Sequence, residues 1–288
     1  MNVARRPDEL PVVPRAVAIG TFDGVHRGHR RVIEAAVGCD GRPTVVTFAP
    51  HPRTILGNRV ELLSTVERRL ELIAELGVEE TLLLEFTPEL AAMAPEAFAD
   101  LVLRRIGAQA VVAGPGFRFG HRASGDLELL RQLGFDARTV DPVPGVSSSE
   151  IRRLVRDGDV VAAAAMLGRP PEVEGTVVLG DQRGGTLGYP TANVSVAPDV
   201  LVARYGIYAG SALGRRAAIS IGTNPHYGGT ERRVEAFLLD FTGDLYGERV
   251  VVELWLRLRD EQAFTSEADL VAAIASDVEQ TRRAMRPG

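Results

Sequence analysis

Two histidines three residues apart, His26 and His29, lie in the segment GTFDGVHRGH, Gly20 to His29. Imidazoles donate hydrogen bonds to phosphate oxygens and become cationic as negative charge builds on a departing pyrophosphate, so the pair points to chemistry on a nucleotide. Their spacing puts both rings on one side of a helix start. The apolar run AVAIG (16–20) precedes the turn and the amphipathic stretch HRRVIEAAV (29–37) follows it, which gives strand, glycine-marked turn, helix. A helix beginning there aims its unpaired N–H groups and positive dipole end into the turn, where a phosphate fits. Two rivals stay open. One is a Gly-rich turn that carries its histidines by accident; the other is a metal pair, although HxxH lacks the HExxH glutamate and an evident third ligand. The dinucleotide fingerprint GxGxxG does not follow this strand.

Further candidates stand in PHPR (50–53), GPGFRFGHRASGD (114–126) and VSSSEIR (146–152), each after an apolar run. Ligands of an open parallel sheet bind beyond the carboxyl ends of its strands, so these loops are expected on one rim. His26, His29, His51, His121 and His226 all fall in Gly- or Pro-marked segments. Ser147, Ser148 and Ser149 occupy a helix start, and Arg152 one turn on is placed to reach an anion held by the same hydroxyls and dipole. Capping serines and a solvated arginine explain this segment equally well in isolation.

The elements that must carry these residues fall into two kinds. Up to about residue 170, apolar runs at 16–20, 44–48, 81–86 and 110–114 are each followed by a helical pattern, and a weaker run occupies 137–143. That alternation is the mark of a doubly wound parallel sheet. Ser64 and Glu67 make a capping box for a helix over 65–76, and Gly77 ends it. Beyond GRPPEVEG (168–175) helical periodicity gives way to EGTVVL, GIYAGSAL, AAISIG, VEAFLLDF and RVVVELWLRL, an antiparallel barrel pattern. A last helix starts at Ser266 with Asp269 three residues on. The expected fold is α/β plus β, with an N-terminal doubly wound sheet domain at 1–169, a C-terminal antiparallel barrel with a terminal helix at 170–288, and the linker at Pro170 and Pro171.

Composition narrows the class. The 288 residues are 45% apolar and 25% charged, as in soluble globular protein. No run near 20 residues is wholly apolar and the N-terminus lacks a signal-peptide core, so no membrane association and a cytoplasmic location are expected. The lone Cys39 excludes an intramolecular disulfide and a multi-thiolate metal site. A net charge of -5 argues against a nucleic-acid footprint. All 33 basic side chains are arginine. No Walker-type GK[ST] loop can exist, nor Schiff-base chemistry, nor the lysine motif of a class I aminoacyl-tRNA synthetase, which shares an HxGH-like turn. Phosphate contacts must come from arginine, histidine, hydroxyls and backbone N–H groups.

The order GTFDGVHRGH, TFAPHP, FRFGHRASGD, SSSEIR resembles the adenylyltransferase half of prokaryotic bifunctional riboflavin kinase/FAD synthetases. GDQRGGTLGYPTAN (180–193), IGTNPHYGG (221–229), RRVEAFLLDF (232–241), DLYG (244–247) and LRDEQAF (258–264) resemble the family's riboflavin kinase module, so the likeness runs nearly end to end. It implies ATP-dependent phosphorylation of riboflavin to FMN, then adenylylation of FMN to FAD with release of pyrophosphate, each with Mg2+. It implies that His26 and His29 stabilise the departing pyrophosphate, that Ser147, Ser148, Ser149 and Arg152 hold the triphosphate, and that Gly20 and Phe22 lie by the adenine nucleotide. His51, Pro52 and Arg53 match a loop near the flavin, and Arg259, Glu261 and Phe264 match flavin-binding positions of the kinase module. Thr191 and Asn193 match residues around ATP and the metal, and Glu235 matches the catalytic base, expected in a pocket inside the barrel. Three positions depart from the family pattern: Gly116 in place of Asn or Asp, Ala49 in place of an acidic residue, and Gly185 in place of Arg. An FAD synthetase whose barrel is a weakened or regulatory flavin module, and a non-catalytic flavin or nucleotide sensor, remain as alternatives. Oligomeric state is not legible.

Overall fold

The apolar runs of the first half become strands, and all but the exposed edge strand at 136–139 bury side chains on both faces, as a sheet covered by helices on either side requires. They are β2 (Arg15–Ile19), β3 (Arg42–Ala49), β4 (Glu80–Glu85), β5 (Ala108–Ala113) and β6 (Asp136–Thr139), joined by an edge strand β1 (Asn2–Ala4). The computed structural model describes residues 1–179, 189–223 and 232–288. All pairings in this sheet are parallel and its order is β1-β4-β3-β2-β5-β6. The chain winds outward from β2 to one side through β3 and β4, then returns to the other side through β5 and β6. The winding reverses at β2, the point beyond whose carboxyl end open sheets of this kind bind ligands. β6 stops at Thr139, short of the expected 143, because Pro142 and Pro144 follow.

The helices of this half are α1 (Arg27–Val37), α2 (Pro52–Ile55), α3 (Val66–Ala74), α4 (Pro88–Ala91), α5 (Pro95–Phe98) and α6 (Leu127–Gln132). Val32, Ile33 and Ala36 of α1 pack with Ala18, Val45 and Val112 of the sheet, so the apolar stripe fixes how the helix lies. Gly77 takes φ +85 just beyond α3, the left-handed value expected of a residue that ends a helix.

Within the second half, β7 (Glu172–Val178), β8 (Ala192–Val196), β9 (Gly206–Ala212), β10 (Arg215–Thr223), β11 (Arg232–Leu238) and β12 (Arg249–Arg259) close a barrel in the order β10-β11-β8-β7-β12-β9. The pairs are antiparallel throughout. Five of the six strands match the sequence pattern. β8 is the addition, hidden in PTANVSV by a proline and small polar residues. The terminal helix runs Glu267–Arg283, and Ser266 Oγ accepts the Asp269 N–H at 3.1 Å, the expected cap.

Two compact units emerge: Met1–Val60 with Val66–Ser147, and Glu61–Thr65 with Ser148–Gly288. The packing boundary therefore falls at Ser147/Ser148, earlier than 169/170. Its cause lies in α7 (Ser148–Asp157) and α8 (Val160–Leu167), whose Ile151, Leu154, Val155, Ala163 and Leu167 share one core with Val173 and Leu254 of the barrel.

At the amino end of β2, the fully buried Arg15 donates from Nε and Nη2 to Glu80 Oε2 at 2.9 and 2.7 Å and from Nη1 to the Pro11 carbonyl at 2.6 Å. Arg42 Nη1 meets the other Glu80 oxygen at 3.2 Å. Removing one partner of such a buried pair strands the other charge. Glu80→Gln is expected to destabilise the sheet unit by about 3 kcal/mol. The measurement is urea-dependent amide exchange: β2 and β4 should open at lower urea while barrel amides stay unchanged.

Candidate active sites

The segment after β2 is a strained turn. Phe22 and Val25 have φ of 49° and 38°, and both side chains are buried. A β-branched residue in that region costs energy and persists only where its surroundings over-determine it, at about 1–3 kcal/mol per residue. The Val25 N–H donates to the Phe22 carbonyl at 3.0 Å and closes the turn. Two side chains hold it from outside. Thr47 Oγ1 donates to the Thr21 carbonyl at 3.1 Å, and Arg69 Nη1 donates to the same oxygen at 2.8 Å. Arg69 Nη2 reaches the Phe48 carbonyl at 3.0 Å, so one guanidinium ties the loop after β2 to the end of β3. Burial pulls the Arg69 pKa down, and the carboxylates of Asp23 and Glu67 oppose that.

The turn delivers both histidines to the start of α1. His26 is the N-cap, and its Nδ1 accepts the His29 N–H at 3.3 Å. In the neutral ring that leaves the proton on Nε2, a donor for an anion. The two imidazoles stack with centroids 3.5 Å apart and 16° between planes, and Phe22 meets His29 edge-on at 5.4 Å. Gly28 leaves room for the His26 ring: a Cβ there would sit a tight 3.2 Å from His26 Cε1. At Gly20 a Cβ would meet the Phe22 ring at 3.0 Å, so this glycine seats Phe22 under the turn. No acidic residue stands in the first turn of α1, which leaves the positive helix end uncompensated by its own sequence.

The other expected loops differ in kind. His51 caps α2, its Nδ1 accepting the Arg53 N–H at 3.2 Å; His51 is buried, Pro52 half-buried and Arg53 exposed. In the loop after β5, Phe119 pairs with Gly125 in an isolated bridge and stacks on Phe117 at 5.6 Å. His121 is exposed there, and Gly116 takes φ +72 with nothing within 4 Å of an added Cβ, a conformation that Asn or Asp also tolerates. Ser148 and Ser149 open α7 with Ser147 before them. Arg152 is buried and donates from Nε to the Glu61 carbonyl at 2.7 Å. By packing, Ser148, Ser149 and Arg152 belong to the barrel unit, whereas His26, His29 and Phe22 are gathered in the sheet unit.

The second constellation surrounds Glu235 on β11. Val234, Ala236 and Leu238 turn inward and fill the barrel with Val194, Ile219 and Ile221. Strand alternation then sends Glu235 and Phe237 outward. The carboxylate therefore serves a cavity of about 340 Å3 on the outer wall, not one inside the barrel, and Leu270, Ile274 and Asp277 of the terminal helix form its roof. Thr191, Arg259, Glu261 and Phe264 line the same cavity, so five of the expected residues come together. Thr191 Oγ1 lies 3.4 Å from Glu235 Oε2, Asn193 faces Glu235 across the β8–β11 ladder, and Arg233 Nη1 donates to Glu235 Oε1 at 3.4 Å. Thr191 also borders a second cavity of about 200 Å3 beside Asp244 and Tyr246.

Arg259 is held by Asp277, donating from Nη2 to Oδ2 at 2.7 Å and from Nε to Oδ1 at 3.0 Å, and lies 5.8 Å over the Phe264 ring. Burial pushes the Glu261 pKa up, with the nearby Glu235 adding to it and Arg259 opposing. Gly222 accommodates this carboxylate, since a Cβ would fall 1.8 Å from Glu261 Oε1. Gly185 and His226, with parts of the GDQRGGTLGYPTAN and IGTNPHYGG segments, lie outside the described residues.

Four residues escaped the sequence reading. Gly28 was legible as the glycine of HRGH, needed because a ring lies over it. Arg69 was not, because VERRLELI offers nothing to separate it from Arg68, which pairs with Glu71 on the same helix. Gly222 and Asp277 depend on tertiary partners and left no local signal.

Comparison with known proteins finds family matches in both halves of the chain. A family model described as FAD synthetase matches residues 12–152, and one described as riboflavin kinase matches residues 167–285. The bifunctional riboflavin kinase/FMN adenylyltransferase of Listeria monocytogenes is 33% identical over 96% of this chain and 94% of its own length. The Escherichia coli protein of the same name is 33% identical over 96% and 93%, and that of Bacillus subtilis 31% over 93% and 93%. A Streptococcus pneumoniae crystal structure, described as a macrolide-efflux protein, is similar at a TM-score of 0.86 and 30% identity, covering 97% of this chain and 98% of that one. Efflux is said of that protein alone; among the described residues here no helix is long and apolar enough to cross a membrane. With relatives above 30% identity matched along almost its whole length, this chain belongs to the bifunctional riboflavin kinase/FMN adenylyltransferase family.

Proposed function

We propose that this chain phosphorylates riboflavin to FMN with ATP and then adenylylates FMN to FAD with a second ATP, releasing pyrophosphate. The observation that carries the reading is the pairing, in one chain, of an imidazole stack at a helix start with a carboxylate lining one of two cavities that share Thr191. The functional modules are taken as 1–169 for the FMN adenylyltransferase and 170–288 for the riboflavin kinase, the FAD synthetase match itself extending past Ser147 to Arg152. Its substrates are small molecules, its place is the cytoplasm, and neither nucleic acid nor membrane is a partner.

In the kinase module Glu235 takes the proton from the ribityl 5'-hydroxyl as that oxygen attacks the γ-phosphate. Phe237, Glu261, Phe264 and Arg259 flank the flavin in the larger cavity, and the smaller one takes the nucleotide. The hydroxyl of Thr191 and the amide oxygen of Asn193 are hard neutral donors suited to Mg2+ that already shares phosphate oxygens, and these two residues would hold it. When bound, the ion neutralises charge on the transferring phosphate.

In the adenylyltransferase module the FMN phosphate attacks the α-phosphate of ATP directly, with no covalent enzyme intermediate. His26 and His29 donate to the transition state and to the departing pyrophosphate. Ser147, Ser148, Ser149 and Arg152 bind the triphosphate, Gly20 and Phe22 border the adenine nucleotide, and His51, Pro52 and Arg53 border the flavin.

Chromatography of the purified chain with MgATP tests the whole reading. Riboflavin should give FMN and then FAD, and supplied FMN should give FAD. FAD from FMN alone would leave an FAD synthetase with a regulatory barrel, and no product from either flavin would leave a sensor. Glu235→Gln should lower riboflavin phosphorylation at least about 100-fold while FAD formation from FMN stays intact, and His29→Ala should do the reverse. Either variant, folded yet lacking both reactions, contradicts the assignment of separate sites.

Asp277 should act through Arg259. Asp277→Asn removes a charge-assisted fork and is expected to raise the riboflavin KM about tenfold, with kinase kcat within about threefold and FAD formation from FMN unchanged. Steady-state kinetics of the two reactions separately provide the check.

A further inference from the structure

Arg69 sits on the inward face of α3 with the buried Leu72 and Ile73, and the residue is itself buried at 4% exposure. Burial lowers its pKa, and its Nε finds no hydrogen-bond partner among the described residues. A side chain kept for packing alone would be better served there by an apolar residue of similar volume. What the charged fork gains is two backbone oxygens, Thr21 O at 2.8 Å and Phe48 O at 3.0 Å. These belong to the ends of neighbouring parallel strands, at the point where the sheet reverses its winding.

Thr21 leads directly into the left-handed residues of the turn, Phe22, Gly24 and Val25, and then into His26. Thr47 on β3 donates to the same carbonyl, so the two contacts pin the turn from the same strand neighbourhood. Released from them, the turn can relax its positive φ angles and swing the His26–His29 stack, which is joined to it by the single residue Val25. We propose that Arg69 is a positioning residue for adenylyl transfer: it holds the strained turn so that the stacked imidazoles face the reacting phosphate, while touching no substrate itself. The proposal rests on the assignment of His26 and His29 to the adenylyltransferase site.

The test compares Arg69→Met, Arg69→Lys and Thr47→Val in the full chain, with FAD formation from FMN, riboflavin phosphorylation and thermal unfolding measured on each preparation. Arg69→Met should lower kcat for FAD formation about 30-fold with both KM values within about threefold, because misplaced groups lose rate rather than binding. Riboflavin phosphorylation should be unchanged. Arg69→Lys keeps a cationic donor that can hold one of the two carbonyls but not the fork, so it should recover only part of the loss, to about tenfold below wild type, and Thr47→Val should cost about threefold. A kcat near wild type in folded Arg69→Met, a loss carried by KM alone, or a loss that lysine does not relieve overturns the proposal. If Arg69→Met does not fold, the other two variants decide: reduced kcat with an intact kinase reaction supports the proposal, and unchanged kcat in both sinks it. His29→Ala run alongside separates the two readings. Should it retain FAD formation, the histidine assignment fails; should it lose FAD formation while the Arg69 variants keep theirs, only the positioning role fails.

Discussion

The carbonyl oxygen of Thr21 accepts from Thr47 Oγ1 and from the buried Arg69, and the backbone that leads to the histidines departs from there. Similar contacts recur where this chain must fix a peptide outside a regular ladder. Arg15 donates to the carbonyls of Pro11 and Ile106, Arg216 to those of Thr281 and Ala284, and Arg152 to that of Glu61. A guanidinium offers five donors in one plane, so a single side chain grips two oxygens at a set angle, which an ammonium on a flexible stem does not. With no lysine in the sequence, every such tie from a basic side chain is made by a guanidinium. Burying that charge is costly, and each case is offset by carbonyls or a carboxylate already in place.

The same device builds the second site. Since the barrel interior is filled by alternate side chains, a ligand can only lie against its outer wall, and a wall alone does not enclose one. The terminal helix supplies the missing side. Arg216 takes its last carbonyls while its guanidinium lies 5.2 Å over Trp255, Arg282 pairs with Asp240, and Arg286 pairs with Glu253. Burial pushes the Glu253 pKa up, but hydrogen bonds from Arg286, Trp255 and Ser211 outweigh that and hold it below the usual range. Asp277 then joins the same helix to Arg259 within the cavity, so one bond both fastens the roof and sets a lining side chain.

Elements with a strong period were legible in the sequence. The buried strands of the sheet, five barrel strands and the Ser266 cap needed no tertiary knowledge, because continuous apolar runs, alternation and a hydroxyl three residues before an acid are local signals. The misses share a cause. β1 is three residues long, β8 is written in small polar residues, and α7 and α8 carry a helical pattern that does not say which core receives it. Likewise the inward or outward sense of Glu235 depends on register, which follows from Val234 and Ala236 only once the barrel is closed. His26 and His29 were legible as chemical types and Glu235 only through its match to a family position, whereas Arg69 and Asp277 were not legible, since their meaning lies in distant partners.

The composition of each site follows from the nucleophile in its proposed role. An alcohol is a weak acid, and its oxygen attacks phosphorus well only as it sheds its proton, so phosphorylation of riboflavin calls for a base; Glu235, set among Thr191, Arg233 and Asn193, is the group that can take it. The phosphate of FMN is already ionised and brings no proton that must leave. A carboxylate beside it would repel both the nucleophile and the departing pyrophosphate. The sheet unit accordingly presents donors, two stacked imidazoles on a helix start whose first turn contains no acid. The one buried acid of that turn, Asp23, has the cationic Arg69 close enough to act on it electrostatically, so the negative charge is balanced within the scaffold that aims the histidines.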